Sequence, residues 1–341
     1  MLFSNVSIDA VVHVDAPIRL TSAVIMGRLR PTLDRLGIRP DLLEELAGIR
    51  ERRVWGGSTQ VSEAATMAGK AALRASRVAR AEIGLLISTS VSRDYVEPSI
   101  ASVVHGQLGL ADTCQNFDVG NACLAFLNGM DIAGSMIERG DIDHALIVDA
   151  EVSDEITEHT IARLNQPETT AEQFREEFAS LTLGSGATAM VLGRSDLLPD
   201  GHRYLGGVTR AATAYSHLCR GTMQRMVTDT RDLLAAGLDL ASRTFDAAKE
   251  TLGWRPADLD EFVLFAPASN AAFTSAMLRR PPPNCNLSLT QLAMSARARR
   301  LARAALASPN APSRLITCSH CEPSFCQRWA IAVGSFEYVV C

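Results

Sequence analysis

The 341-residue chain has no apolar run of membrane-spanning length, and Met1 to Val14 lacks the basic start and long apolar core of a secretion signal. Those absences argue against a helical membrane protein and leave the cytoplasm as the expected compartment. Cysteine is sparse, since eight residues in a chain of this size do not make a disulfide framework. Charged residues are only 21% against 47% hydrophobic, a globular and not a disordered composition. The length suits two domains of ordinary size or one large double-layered α/β unit.

One segment lacks more than the rest. Residues 262–341 contain no lysine and only Glu322 and Glu337 as acids, against eight arginines. That segment carries +6, so the first 261 residues carry −11 of the overall −5. Five of the eight cysteines also fall there: Cys285, Cys318, Cys321, Cys326 and Cys341.

What is present centres on Phe117 to Ala133. Phe117 to Val119 ends a short apolar run, Gly120-Asn121 breaks it, and the pattern then turns helical as far as Glu138-Arg-Gly140, a C-cap. Cys123 therefore falls on the first turn of a mostly apolar helix, where unpaired N–H groups and the helix dipole favour a thiolate. Ala125, Gly129 and Ala133 form a small-residue ridge that permits close backbone approach. Cys123 reads as a nucleophile, or else as one more small buried apolar residue.

Around it, Met1 to Val14 reads as a strand, Ser22 to Leu36 as an amphipathic helix, and Asp41 to Leu46 as the start of another. Gly48 to Trp55 reads as a basic turn, and Ser62 as the cap of a helix across Glu63 to Val78. Ile83 to Ser88 is a buried-type strand, Ser90 to Pro98 a polar loop and Pro98 to Leu108 a helix. Ala145 to Asp149 is the next strand, Glu151 to Ser180 an acidic surface insertion, and Leu181 to Leu192 a glycine turn feeding a strand. This rhythm predicts a largely parallel sheet with right-handed crossovers. A strand near Leu205 to Ala212, a helix from Arg231 to Leu252 and a strand at Glu261 to Leu264 restart the order. Beyond Leu264 no strand–helix rhythm returns until Ala330 to Val340.

These residues match a known family. The chain resembles the thiolase-superfamily condensing enzymes of the 3-oxoacyl-ACP synthase III type. The matching pieces are Gly48-Ile-Arg-Glu-Arg-Arg53, Asp118-Val-Gly-Asn-Ala-Cys123 with Gly129, and Leu183-Gly-Ser-Gly-Ala187. Within the family it is most similar to the olefin-biosynthesis enzymes that condense two acyl-CoA molecules head to head. That likeness is carried by Ser90 to Ser99, Asn121 to Met130, Leu218-Cys-Arg-Gly221 and Arg225 to Thr230. The resemblance covers about Met1 to Leu264.

It implies an α/β, five-layered αβαβα thiolase-like fold of two similar halves, residues 1–200 with the nucleophile and 201–341, the second half incomplete or distorted from about 265. It also implies a homodimer, acyl-CoA thioesters or acyl carrier protein as partners, and no cofactor. Cys123 would take an acyl group from CoA, with its own N–H as an oxyanion donor. Glu97 would reach the partner subunit's pocket as general base, the alternative being a solvated loop carboxylate. Arg50 and Arg53 are candidates for the CoA phosphates, or else surface ion pairs. Gly186 marks a tight backbone approach near the site.

The family also needs a histidine and an asparagine from the second half. Anchored on Asp260 to Leu264, the histidine position is Phe265, and no histidine occurs between His217 and His320. The asparagine's Gly-Asn-x-Gly turn belongs near residues 293–295, where the chain reads Ala293-Met-Ser295. Leu292 to Ala296 can be encoded as CTG GCA ATG TCG GCN, which out of step reads Gly-Asn-Val-Gly. A frame error thus explains a tail foreign to the family.

Other readings are open. Extension of malonyl-ACP is the alternative condensation, and a catalytically impaired or inactive relative that only dimerises, or a degraded product, is an alternative from another class. Cys318-Ser-His-Cys321 with Cys326 has zinc-like spacing, but no second cluster flanks it and no metal is expected. Arg297, Arg299, Arg300 and Arg303 lack the aromatic interleaving of a nucleic-acid surface. His105, His144, His159 or His217 would have to serve a Cys–His hydrolase.

Overall fold

The computed structural model describes residues 1–253, and the backbone of 261–265, 329–333 and 338–340. The chain opens with β1 (Val6–Asp15) and β2 (Ile18–Thr21). Then come α1 (Ser22–Arg28), α2 (Arg30–Leu36), α3 (Leu42–Ala47) and β3 (Glu51–Val54). The single helix expected over Ser22 to Leu36 is divided at Leu29. Pro31 has no N–H to donate and sits in the first turn of α2, where none is needed. The basic turn expected at Gly48 to Trp55 contains a strand, β3, antiparallel to β2 with Leu20 opposite Arg52.

Next is α4 (Val61–Ala75), capped by Gln60 and not by Ser62. The Asp94 carboxylate takes the N–H groups of Val61 and Ser62, so the cap arrives from a distant loop. The order continues through β4 (Leu85–Ser88), α5 (Ile100–Leu108), β5 (Gln115–Asp118), α6 (Ala125–Arg139) and β6 (His144–Glu151). After α7 (Asp154–Leu164) and α8 (Ala171–Glu177) come β7 (Gly186–Arg194) and β8 (His202–Arg203).

The main sheet runs β5-β4-β6-β7-β1-β8. β4 is parallel to β5 and β6, but β7 is antiparallel to both β6 and β1. The sheet is therefore mixed, not largely parallel: α7 and α8 leave and return at the same end of two adjacent strands, so no crossover is made. Every residue of β6 is buried, which requires cover on both faces. Ala64, Ala65, Ala68 and Ala72 of α4 pack with Val148, Ala150 and Val191 on one face. Phe126, Leu127, Met130 and Ile137 of α6 pack with Ile87, Ile147 and Met190 on the other.

The small-residue ridge of α6 lies against the sheet. A Cβ at Gly129 would stand 3.1 Å from Thr89 Cγ2 and 3.4 Å from Ile147 Cγ2. Gly129→Leu is expected to cost about 2–3 kcal/mol by overpacking, read as a lower urea midpoint at constant m-value. An unchanged midpoint would mean that the sheet yields.

The acidic stretch 151–180 is no mere surface insertion. Ile161, Leu164, Phe174 and Leu181 share a core with Ile25, Leu33 and Leu43, so α7 and α8 join α1 to α3 in a helical cap.

The second half comprises β9 (Gly207–Thr209), the hairpin β10 (Cys219–Gly221) and β11 (Met226–Thr228), and α9 (Thr230–Leu252). Among the described residues, strands β12 (Glu261–Phe265), β13 (Trp329–Val333) and β14 (Tyr338–Val340) follow. Its sheet order is β12-β13-β14-β9. β12 and β13 are parallel, while β14 is antiparallel to both β13 and β9. That repeats β4-β6-β7-β1 in order and direction, a repeat that exists in topology and not in residues.

Candidate active site

β5 delivers the candidate nucleophile, Cys123. Val119 N–H extends the ladder by donating to the Ser88 carbonyl at 2.8 Å, and Gly120-Asn121 then turns the chain. Ala122 adopts φ +42°, a left-handed conformation that a residue with a Cβ enters only at a cost of about 1–3 kcal/mol. A tight turn over Ala122 to Leu124 carries Cys123 straight into α6. Asn121 Nδ2 donates to Asn128 Oδ1 at 2.8 Å, fastening the turn to the helix behind it. Cys123 is half-buried and, like Phe117 and Val119, packs against the core on the α6 face of the sheet. The strain is spent on presenting this side chain at the strand's C-terminal end.

The other described cysteines do not compete. Burial pushes the Cys114 thiol up to about 11, with a backbone hydrogen bond from Leu86 opposing, so it is a packing residue. Cys219 lies on an exposed hairpin, 3.4 Å from Thr228 Oγ1. The cysteine cluster 318–326 and the arginine run 297–303 lie outside the described residues. Among the described residues no group of three or more His, Cys, Asp or Glu is placed to hold a metal.

The histidines considered for a hydrolase are placed elsewhere. His144 opens β6 at the N-terminal end of the parallel strands, opposite the end that carries the elbow, and His105 in the last turn of α5 is bonded to Ala111 O. His159 pairs with Glu155 on α7, and His217 is 3.1 Å from Ala214 O.

Glu97 is exposed near the tip of the loop 90–99, beside Tyr95 and Val96, which are 49% and 92% exposed. Carboxylates pin this loop at three places. Glu151 receives Val91 and Ser92, Asp94 reaches across to α4, and Asp118 accepts from Ile100 and Ala101 N–H at 3.1 and 2.8 Å. Asp118 also lies 3.7 Å from Arg93, so one side chain ties the loop to the strand that ends in the elbow. Arg50 is exposed; Arg53 is half-buried, its guanidinium 3.3 Å from the Pro17 carbonyl. Ser185 N–H donates to Arg53 O at 2.7 Å, and buried Gly186 pairs with both Asp15 and Glu151. Gly186 thus sits where three segments converge.

Sequence reasoning missed the buried acids. Glu151, assigned there to the polar insertion, is the last residue of β6 and only 4% exposed. Its carboxyl is pushed up to about 7 by burial and then by the neighbouring Asp149 charge, against hydrogen bonds from Ser92 and Val91. Asp149 accepts from Thr89 Oγ1 at 2.8 Å. The available signal was an apolar strand ending in alternate acids, Asp149-Ala-Glu151.

A strained cysteine elbow on a mixed sheet whose order recurs in the second half defines a thiolase-like condensing enzyme. The family described as 3-oxoacyl-[acyl-carrier-protein (ACP)] synthase III matches residues 117–210. An acyl-CoA:acyl-CoA alkyltransferase of Xanthomonas campestris is 57% identical over 264 residues, 77% of this chain and 78% of that protein. One from Shewanella oneidensis is 30% identical over 295 residues, 83% of this chain and 84% of the relative. Cerulenin-bound Xanthomonas OleA superposes with TM-score 0.87 at 44% identity, covering 100% of this chain and 97% of that one. A further OleA structure, with bound lauric acid and lauroyl-CoA, gives TM-score 0.86 at 44% identity and 100% coverage of both chains. The chain belongs to the acyl-CoA:acyl-CoA alkyltransferase branch of the 3-oxoacyl-ACP synthase III family.

Proposed function

We propose that Cys123 accepts a fatty acyl group from one acyl-CoA and that the α-carbon of a second acyl-CoA then takes it, a Claisen condensation. The observation that carries this is the strained elbow at Ala122 presenting Cys123 at the head of α6. Sulfur attacks the thioester carbonyl and the CoA thiolate leaves, an exchange between like groups that needs no strong base. Elbow N–H groups are suited to the oxyanion. Glu97 removes the α-proton of the second thioester, and the resulting enolate attacks the acyl-Cys carbonyl. Cys123 sulfur departs, leaving a 3-oxoacyl-CoA and one CoA per two acyl-CoA consumed.

Spacing supports the assignment. Structures of Xanthomonas OleA carry substitutions at a cysteine, a glutamate and a histidine. That cysteine and glutamate are as far apart in sequence as Cys123 and Glu97, and the histidine follows the cysteine as Phe265 follows Cys123. Arg50, Arg53 and the Gly186 turn are placed in this reading along the path of the CoA arm.

A homodimer belongs to the same reading. β5 is an edge strand with no partner on its outer side among the described residues, and the Glu97 loop offers exposed Tyr95 and Val96 beside the base. Among the described residues no helix is long and apolar enough to cross a membrane. The reading places the enzyme in the cytoplasm with its acyl-CoA. Use of malonyl-ACP has less support, because a beta-ketoacyl-ACP synthase III from Rhizorhabdus wittichii, 35% identical, matches over only 43% of the chain.

The test is to incubate the protein with one long-chain acyl-CoA and extract the products. The expected result is a 3-oxoacyl product of twice the acyl carbon number, from a protein that sediments as a dimer. A monomer releasing only free fatty acid would refute the condensation.

A further inference from the structure

A buried carboxylate outside the proposed chemistry stands at the root of the Glu97 loop. The two oxygens of Glu151 take three donors from it: Val91 N–H at 2.7 Å, Ser92 N–H at 3.0 Å and the Ser92 hydroxyl at 2.6 Å. Val152 N–H donates back to Ser92 Oγ at 3.3 Å, tying strand end and loop a second time. Enclosing a carboxylate beside Asp149 is unfavourable, and such a group persists where the bonds it accepts fix a neighbouring segment. Here that segment is the incoming end of the base loop. The outgoing end is fixed by Asp118 and the middle by Asp94, so only Tyr95 to Pro98 projects. A short segment with both ends held loses little further freedom when its tip engages a substrate.

We propose that Glu151 is the positioning residue of the base loop: by holding Val91 and Ser92 it sets where Glu97 meets the α-carbon of the second acyl chain. This rests on Glu97 being the base. Glutamine cannot replace Glu151 here, since its amide NH2 would face an N–H of Val91 or Ser92, donor against donor. Aspartate keeps both acceptors on a shorter arm.

Two measurements on the full chain separate the anchoring from the chemistry. One is amide hydrogen exchange across 90–99, and the other is washout of deuterium from the α-carbon of a deuterated acyl-CoA. In Glu151→Gln the Val91 and Ser92 amides are expected to exchange at least ~10-fold faster while α4 and α6 keep their protection. Cys123 is still acylated, and washout falls at least ~10-fold, to the level of Glu97→Gln, with no further fall in the double variant. Glu151→Asp recovers part of both. Unchanged protection at Val91 and Ser92, loss spread through α4 and α6, or full washout despite a loosened loop would each overturn the proposal. If Glu97→Gln leaves washout untouched, the base assignment fails, and the amide result still decides the anchoring.

Discussion

Cys123→Ser is expected to abolish the acyl adduct formed with long-chain acyl-CoA and to lower CoA release by about 10³ or more. The unaltered chain gains the mass of one acyl group, and the modified peptide contains Cys123. Serine keeps the size and the place at the head of α6, but a hydroxyl attacks a thioester well only with a strong base beside it. None of His105, His144, His159 or His217 is bonded there; His105, His159 and His217 have partners elsewhere, and His144 is buried at the start of β6. Cys123 is half-buried at a turn whose strain lies in Ala122, so the substitution should leave the unfolding free energy from urea titration within about 1 kcal/mol. An adduct surviving in Cys123→Ser would move the nucleophile to another residue and remove the reason for the elbow.

The second large effect concerns the missing donors. Phe265 stands where the histidine belongs, and Ala293-Met-Ser295 replaces the asparagine turn. A lost oxyanion donor costs ~10²–10³ in rate. A gene shifted in frame after about residue 265, restoring Gly-Asn-Val-Gly over Leu292 to Ala296, is therefore expected to condense at least ~10²-fold faster. Acylation of Cys123, whose parts all lie before residue 265, should change little. The identities agree with a foreign tail: 57% of 264 residues and 44% of 341 are the same number of positions, about 150. The residues beyond those 264 thus add almost no identity. Equal condensation by the two versions, or resequencing that finds one continuous frame, would sink the frame-error explanation. Strands β13 and β14 are compatible with either outcome, because ladder hydrogen bonds are made by backbone groups that every non-proline residue carries.

Much of the site was legible in the sequence because its rules are local. Gly120-Asn121 ends a strand, and Gly140 stops α6 in the left-handed conformation that a C-cap requires. Such preferences fixed Cys123 at a strand-to-helix turn before any tertiary contact was known. The halves, too, were foreshadowed by the restart of strand and helix after residue 200. The split at Leu29 was also local, and Pro31 was there to announce it.

What escaped depends on partners far away in sequence. Glu151 and Val91 are 60 residues apart, and no spacing rule shows that one buries itself beneath the other. In isolation, Glu151 looks like the start of a solvated insertion. Only the register of β6 against β4 and β7 makes it the floor of the Glu97 loop. The direction of β7, the helical cap and the capping of α4 by Asp94 likewise came from pairing and packing.

The sequence by itself determined that Cys123 falls at a strand-to-helix turn and where its helix begins and ends, because glycine, proline and apolar period act within a few residues. Tertiary structure alone decided which carboxylates are buried and what they hold. A charge leaves water only when a partner arrives, and here the partner comes from another strand.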